Sequence, residues 1–176
     1  MQKFADSKVL ELLPQQRLVG VYDGEIRRRT GEIETFSDCN LIVDEGLNHI
    51  LNVELGAAAQ ILTWYLGVFE GNYNPVAGVT AATITAASTE STAYASATRP
   101  QWVEAASTAE LITNTASKAS FVFNATKTIY GAFLISNSTK SSTLGTLFSA
   151  ARFATAKNVD SGDELLLTYS VTSASV

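Results

Sequence analysis

The sequence predicts an all-β protein, an antiparallel β-sandwich of jelly-roll type with one short α-helix at about residues 45–55 and an N-terminal arm. Three observations lead to this fold class. Short β-prone segments, separated by turn residues, recur along the chain at the spacing typical of a sandwich. Strands and helices do not alternate in the way that builds parallel sheets. Only one segment has the apolar spacing of an amphipathic helix.

The length and composition indicate one folded domain. The chain has 176 residues, of which 46% are hydrophobic and 16% are charged, which excludes the disordered class and allows a real core. We therefore predict an arm at residues 1–15 and a single sandwich domain at residues 16–176. Ala, Ser and Thr occupy much of the surface that charged residues normally cover, which favours permanent association with a partner.

The arm is the first element. Val9, Leu10, Leu12 and Leu13 are apolar, and Pro14 ends whatever structure they form. Such an arm can pack on its own domain or on a neighbour, since termini need a docking site to be ordered. The chain start lacks the apolar core of a signal peptide, and no apolar run is long enough to predict a transmembrane helix.

A charged hairpin region follows. Asp23-Gly24 is a dipeptide that favours a type I′ turn, which predicts strands on either side of it. Thr30-Gly31 predicts a second turn, followed by a strand at 32–36. The charged residues of these strands are expected to face solvent or to lie at a sheet edge.

The single helix pattern comes after a short apolar run. Asp44 is the predicted N-cap, and Gly56 is expected to end the helix. A β-prone segment at 63–69 then predicts a strand. The apolar residues at helical spacing, which we expect to pack in the domain, are Leu47, Ile50, Leu51 and Leu55.

The second half of the chain reads as strands after a segment of low complexity. Residues 76–98 predict a long loop with one or two short strands. The segment at 128–136 is apolar on both faces, so it is expected to be buried on both sides. The predicted strands after residue 99 are 101–105, 110–114, 119–124, 128–136, 143–153 and 164–172.

Charge and cysteine content exclude several functions. The net charge is −5, and nucleic-acid binding needs clustered Lys and Arg, so no nucleic-acid partner is expected. Cys39 is the only cysteine and His49 the only histidine, which excludes an intrachain disulfide and the usual zinc sites. We predict no membrane partner and no cofactor.

Candidate catalytic and metal-binding groups are few. A Cys39–His49 pair is conceivable, but a lone cysteine is more often a small packing residue. Asp160, Asp163 and Glu164 lie in one turn without the spacing of an EF-hand, so a structural turn is the better interpretation. No pair of carboxylates stands in a recognisable motif, and we predict that the protein is not an enzyme.

Two further groups of residues could contact a partner. Arg27, Arg28 and Arg29 form the only basic run, which could reach an acidic partner surface. Aromatic residues around the predicted strand at 63–69 could line a sugar-binding platform, although the core is the better interpretation for Trp64 and Phe69.

The order of several short motifs resembles that of small β-sandwich virion proteins of tailed bacteriophages. The first motif is Asn40-Leu-Ile-Val-Asp-Glu-Gly-Leu-Asn48, continued by Ile50-Leu-Asn52, and the second is Trp64-Tyr-Leu-Gly-Val-Phe69. Segments 129–135 and 161–169 are also similar to the family. Together these pieces cover about half of the chain.

The resemblance implies a structural role on the phage particle. It implies a capsid decoration or cement protein, assembled in the bacterial host cytoplasm, that binds the major capsid protein on the outer capsid surface and associates with itself, as a homotrimer or another homo-oligomer. The sequence favours this role over a fibre, because it has no elongated repeats or coiled-coil stem. The expected contact residues are Phe4, Val9, Leu10, Leu12, Leu13, Arg27, Arg28 and Arg29.

Two alternatives stay open at this point. One is a tail fibre or baseplate component. The other is a carbohydrate-binding module for receptor recognition that uses Tyr65, Tyr73 or Tyr94.

Overall fold

Two antiparallel β-sheets pack face to face in the computed structural model, which describes residues 16–175. This confirms the predicted all-β sandwich. The predicted arm lies outside the described residues, and so do its candidate contact residues Phe4, Val9, Leu10, Leu12 and Leu13. Among residues 16–175, no helix has the length and apolar character that crossing a membrane requires.

Ten strands and two helices make up the described domain. The first sheet has the order β2-β1-β10-β6, with β7 also paired to β10, and the second has the order β3-β9-β8-β4-β5. Strands β1 and β2 form a hairpin within the first sheet, and β8 and β9 pair within the second. These pairs differ from a jelly roll, in which most successive strands lie in opposite sheets. In chain order the elements are β1 (Gln16–Arg27), β2 (Ile33–Cys39), β3 (Leu41–Ile42), α1 (Asp44–Glu54), β4 (Trp64–Phe69), α2 (Ala81–Ser88), β5 (Gln101–Trp102), β6 (Leu111–Thr113), β7 (Ala119–Val122), β8 (Lys127–Ile135), β9 (Leu147–Val159) and β10 (Glu164–Ser175).

The main core lies between the two sheets, and a second apolar layer lies outside β8. Alternate residues of the long strands point inward, as the period-2 pattern predicts. Trp64 belongs to the main core and Phe69 to the second layer, so both are buried as expected. The second layer is covered by α2 and the segment before it, which explains why β8 is apolar on both faces. Its fully buried members include Phe69, Ile84, Phe133, Ile135 and Leu147.

The predicted turn at Asp23-Gly24 is wrong, because β1 runs through it without interruption. Gly24 pairs with Phe36 of β2, and a Cβ at Gly24 would lie only 2.1 Å from the Phe36 ring. Glycine is therefore present because an aromatic ring covers the strand at this point. The chain reverses at the other predicted turn, where the N–H of Gly31 donates to the carbonyl of Arg28 over 2.9 Å.

The prediction of a single helix and of a loop at 76–98 is also wrong, since α2 forms within that segment. The backbone N–H of Thr80 donates to Thr83 Oγ1 over 3.1 Å at the helix start. Ala81 and Ile84 are buried against the second sheet. The Ala- and Thr-rich sequence has weak helix signals of its own, so this tertiary burial decides the local structure.

The other predicted elements are present with shifted bounds. Helix α1 spans Asp44–Glu54, close to the expected 45–55, but Asp44 is its first residue and not the N-cap, because Val43 precedes it in an extended conformation. The strand expected at 143–153 is β9, which begins four residues later and extends to Val159.

Candidate interaction surface

Helix α1 and Leu55, the residue that follows it, turn three leucines toward solvent. The exposed fractions of Leu47, Leu51 and Leu55 are 39%, 56% and 83%. The prediction that these leucines pack in the domain is therefore wrong within residues 16–175. The side of the helix that faces the domain consists of Gly46, His49, Ile50 and Val53.

Gly46 decides which side of α1 faces inward. A Cβ at this position would lie 2.3 Å from the carbonyl oxygen of Phe148, so the helix backbone lies directly against the start of β9. Any side chain here would push the helix away. Glycine is a poor helix former, so its presence in the first turn of α1 is the one sequence signal of this close approach.

The beginning of α1 is fixed by hydrogen bonds to the second apolar layer. The Glu45 carboxylate accepts from the backbone N–H of Ala81 over 2.8 Å and from that of Leu147 over 2.9 Å. The N–H of Asp44 donates to the carbonyl of Ala77 over 2.9 Å. Glu45 thus joins three elements, α1, α2 and β9, and holds the helix rigidly with its leucines outward.

The exposed leucines belong to a larger apolar surface. We call Leu18, Leu41, Leu47, Leu51 and Leu55 the leucine surface. The first four line a groove of about 610 Å³ between α1 and the beginnings of β1 and β3. Exposed apolar areas of this kind mark binding sites for proteins or ligands more often than single scattered leucines do.

A second apolar cleft, of about 300 Å³, adjoins the groove on the inner side of α1. The ring of His49 contacts Trp64 edge to face in this cleft, with 5.6 Å between the ring centroids. Leu18 and Ile50 line both hollows, so the apolar surface continues from the outside of α1 to its underside.

The three arginines of the basic run lie at the opposite end of β1. Arg27 lies nine positions after Leu18, which is roughly 30 Å along an extended strand. Arg27 is half-exposed and pairs with Glu25 over 2.7 Å, and Arg29 is exposed, with its guanidinium near the Ser161 carbonyl. We call Arg27, Arg28 and Arg29, with the turn that follows them, the arginine hairpin.

Arg28 is held within the domain. Its guanidinium pairs with Glu34 over 2.7 Å and with Asp163 over 3.1 Å, and it also contacts the carbonyl of Asn158. The Arg28 side chain is only 20% exposed, whereas that of Arg27 is 52% exposed, so Arg27 and Arg29 are the members of the run that can reach a partner. The prediction that the hairpin binds a partner stays a prediction.

Asp163 makes the stability of the arginine hairpin sensitive to acid. Burial of its carboxylate acts to raise the pKa of Asp163. Hydrogen bonds from the backbone N–H groups of Asp160 and Arg29 and the ion pair with Arg28 outweigh burial, so the pKa is lowered from its ordinary value. A lowered carboxyl pKa contributes stability that is present above the unfolded-state pKa, about 3.9 for Asp, and lost as the pH falls through the folded-state pKa.

We therefore expect the Asp163→Asn variant to be less stable than the parent protein at neutral pH. As the pH falls from 5 to about 2, which lies below the ordinary Asp pKa, the variant should lose less unfolding free energy than the parent protein does. Urea unfolding of both proteins across this range measures the difference. The other carboxylates titrate equally in the two proteins, so any difference between their curves of unfolding free energy against pH comes from Asp163. Parallel curves would therefore contradict the role of Asp163 in acid sensitivity.

Most of the candidate chemical groups make contacts within the domain, but Cys39 is not the packing residue that we expected. Cys39 is exposed at the end of β2, and His49 packs on Trp64. Asp163 pairs with Arg28, and Glu164 accepts a hydrogen bond from Ser120 over 2.6 Å. Across residues 16–175, no group of three or more His, Cys, Asp or Glu side chains is arranged to hold a metal ion.

The aromatic candidates for a sugar platform are mostly covered. Tyr94 is buried, with the Lys140 ammonium 3.6 Å from its ring centroid. Tyr65 and Tyr73 are half-buried, and Tyr73 packs against the apolar layer below α2. The structure therefore removes Tyr94 from the carbohydrate-binding alternative and brings no open aromatic face together from these three residues.

Comparisons of the chain with protein-family models, curated proteins and solved structures found no match.

Proposed function

We propose that this chain is a structural virion protein of a tailed bacteriophage, a capsid decoration or cement protein that binds the major capsid protein on the outer shell and associates with itself as a homotrimer or another homo-oligomer. The observation that carries the proposal is the leucine surface. It offers an apolar binding area on a rigid helix, which is what lasting attachment to another protein requires.

The motif behind the phage resemblance supports the proposal through what it builds. Within Asn40–Asn48, Glu45 and Gly46 hold α1 against β9 and α2, and Leu41 and Leu47 line the groove. The motif thus fixes the position of α1 and places leucines where a partner can contact them.

The physical basis of attachment would be burial of apolar area. Complete burial of a leucine side chain contributes about 1.5–3 kcal/mol before the costs of association. Many copies on one shell reinforce each other, and a protein that binds only the mature lattice stabilises that state by mass action. The arginine hairpin, at the far end of the domain, is the proposed second contact.

Imaging, at residue resolution, of phage particles assembled in cells that produce this chain tests the proposal. Density for the sandwich on the outer shell, with the leucine surface or the arginine hairpin against a neighbouring protein, is the expected result. Density in the tail would support the fibre or baseplate alternative instead, and particles without the protein would refute both roles.

A charge on the leucine surface should weaken attachment to shells, whether this surface contacts the shell itself or a second copy of the chain bound there. We expect Leu51→Glu to reduce affinity at least about tenfold, since about 1.4 kcal/mol corresponds to one factor of ten and a buried carboxylate adds a desolvation cost. Co-sedimentation of purified protein with shells measures the change. Asn52→Glu is the matched control, because it adds the same charge on the exposed polar flank of α1. Equal occupancy of shells by both variants would contradict the role of this surface.

A further inference from the structure

We propose that the groove of the leucine surface receives the N-terminal arm of a second copy of this chain. The inference rests on the self-association included in the proposed function and names the contact that produces it.

The chemistry of the arm matches the chemistry of the groove. The groove is lined by Leu18, Leu41, Leu47 and Leu51, with Ile42 and Ile50 beneath them. The arm offers large apolar side chains within 13 residues, at Phe4, Val9, Leu10, Leu12 and Leu13. Each set of apolar side chains gains from leaving water against the other.

The position of the arm allows a closed exchange between copies. Residues 1–15 join the domain at Gln16, two residues before Leu18 of the groove. The point at which the arm joins the domain and the groove therefore lie at the same end of the sandwich, so copies that meet at this end can each give an arm and receive one. Such reciprocal contacts close into symmetric oligomers. Fifteen residues reach at most about 50 Å when extended, which is enough to cross to a neighbour.

The direction of β1 favours a neighbour over the chain's own groove. The pairing of β1 with β10 continues past Leu18–Ser173 to Gln16–Ser175, so β1 is still an extended strand at the residue where the arm joins it. Pro14 disfavours a helical backbone at the residue before it. A return into the chain's own groove would need a full reversal between Leu13 and Leu18.

The oligomeric state in solution is the first test. We expect the full chain to form an oligomer by light scattering, and both the variant lacking residues 1–13 and Leu47→Glu/Leu51→Glu to be monomers. Asn52→Glu should keep the oligomer. Circular dichroism and thermal unfolding verify that each variant is folded. A monomeric full chain, or an oligomer that survives removal of the arm, would overturn the inference.

Disulfide trapping distinguishes a second copy from the same chain. In a Cys39→Ser background, one protein carries Leu12→Cys and a second, differently tagged protein carries Leu51→Cys. We expect oxidation of the mixture to link the two tags, while Asn52→Cys in place of Leu51→Cys gives few links. A third protein carries both Leu12→Cys and Leu51→Cys. If oxidation gives only a disulfide within one chain of this protein, or if no disulfide forms in any mixture, the inference is overturned.

These experiments separate the inference from the function on which it rests. Particles that carry the protein without arm exchange would leave the virion role standing and remove the exchange. An oligomer with exchanged arms that is absent from particles would leave the exchange standing and remove the virion role.

Discussion

Replacing Arg99 with methionine should lower the free energy of unfolding by about 3–5 kcal/mol, the range expected when one partner of a buried ion pair is removed. The side chains of Arg99 and Glu90 are both almost fully buried, and Nη2 of the arginine lies 2.7 Å from Oε2 of the glutamate. Without the arginine, the Glu90 carboxylate is left in the interior without its counter-charge.

The same arginine connects distant parts of the chain, which adds to the expected loss. Its guanidinium donates to the carbonyls of Asn137 and Ser142, in the connection between β8 and β9. It also lies 5.4 Å from the centroid of the Phe133 ring. Glu90 accepts from the backbone N–H of Ser141 over 2.7 Å. The pair thus fixes the segment after α2 against that connection.

Urea unfolding of the parent and variant proteins measures the loss. Arg29→Ala serves as control, since it also removes an arginine but from an exposed position, and should have a much smaller effect. The double variant Glu90→Leu/Arg99→Met should cost less than the sum of the single changes, because it leaves no uncompensated charge. Additive losses in this cycle would show that the ion pair is not the reason for the destabilisation.

Replacing Gly46 with alanine should destabilise the protein by about 3 kcal/mol, at the upper end of the range for overpacking. The three atoms nearest to the new Cβ all belong to the backbone of Phe148, at 2.3–2.9 Å, and backbone within a sheet cannot move aside as a flexible side chain can. Helix α1 must therefore shift away from β9, which also strains the hydrogen bonds of Glu45.

This change should affect binding as well as stability, because α1 carries Leu47 and Leu51 of the leucine surface and Leu55 follows directly. We expect Gly46→Ala to weaken both self-association and attachment to shells, as measured by light scattering and co-sedimentation. Gly78→Ala is the matched control, since nothing lies within 4 Å of a Cβ there and the substitution should leave both unchanged. A Gly46→Ala protein as stable as the Gly78→Ala protein would contradict the close approach.

The features that the sequence determined by itself are those that depend on local pattern. Alternating apolar residues were enough to predict the β-sandwich and most of its strands, since the side-chain period of a strand is a local property. Residues 128–136, apolar on both faces, indicated a strand buried on both sides, and β8 has that environment. The spacing around Leu47 and Leu51 placed α1 within one residue of its observed bounds.

The features that only the tertiary structure decided depend on contacts between distant residues. Asp23-Gly24 has the local chemistry of a turn, but Phe36 covers Gly24 and keeps it within a strand. The segment at 76–98 has a weak pattern, and α2 forms because burial against the second sheet stabilises it.

The orientation of α1, which determines the candidate interaction surface, also could not be predicted from local sequence. The leucine spacing is the same whether the leucines face the core or the solvent, and a helix can rotate about its axis without any change of sequence pattern. The contact between Gly46 and the Phe148 carbonyl, 102 positions later in the chain, turns the leucines outward. Packing between distant backbones therefore turned a predicted core helix into one that presents its leucines to solvent.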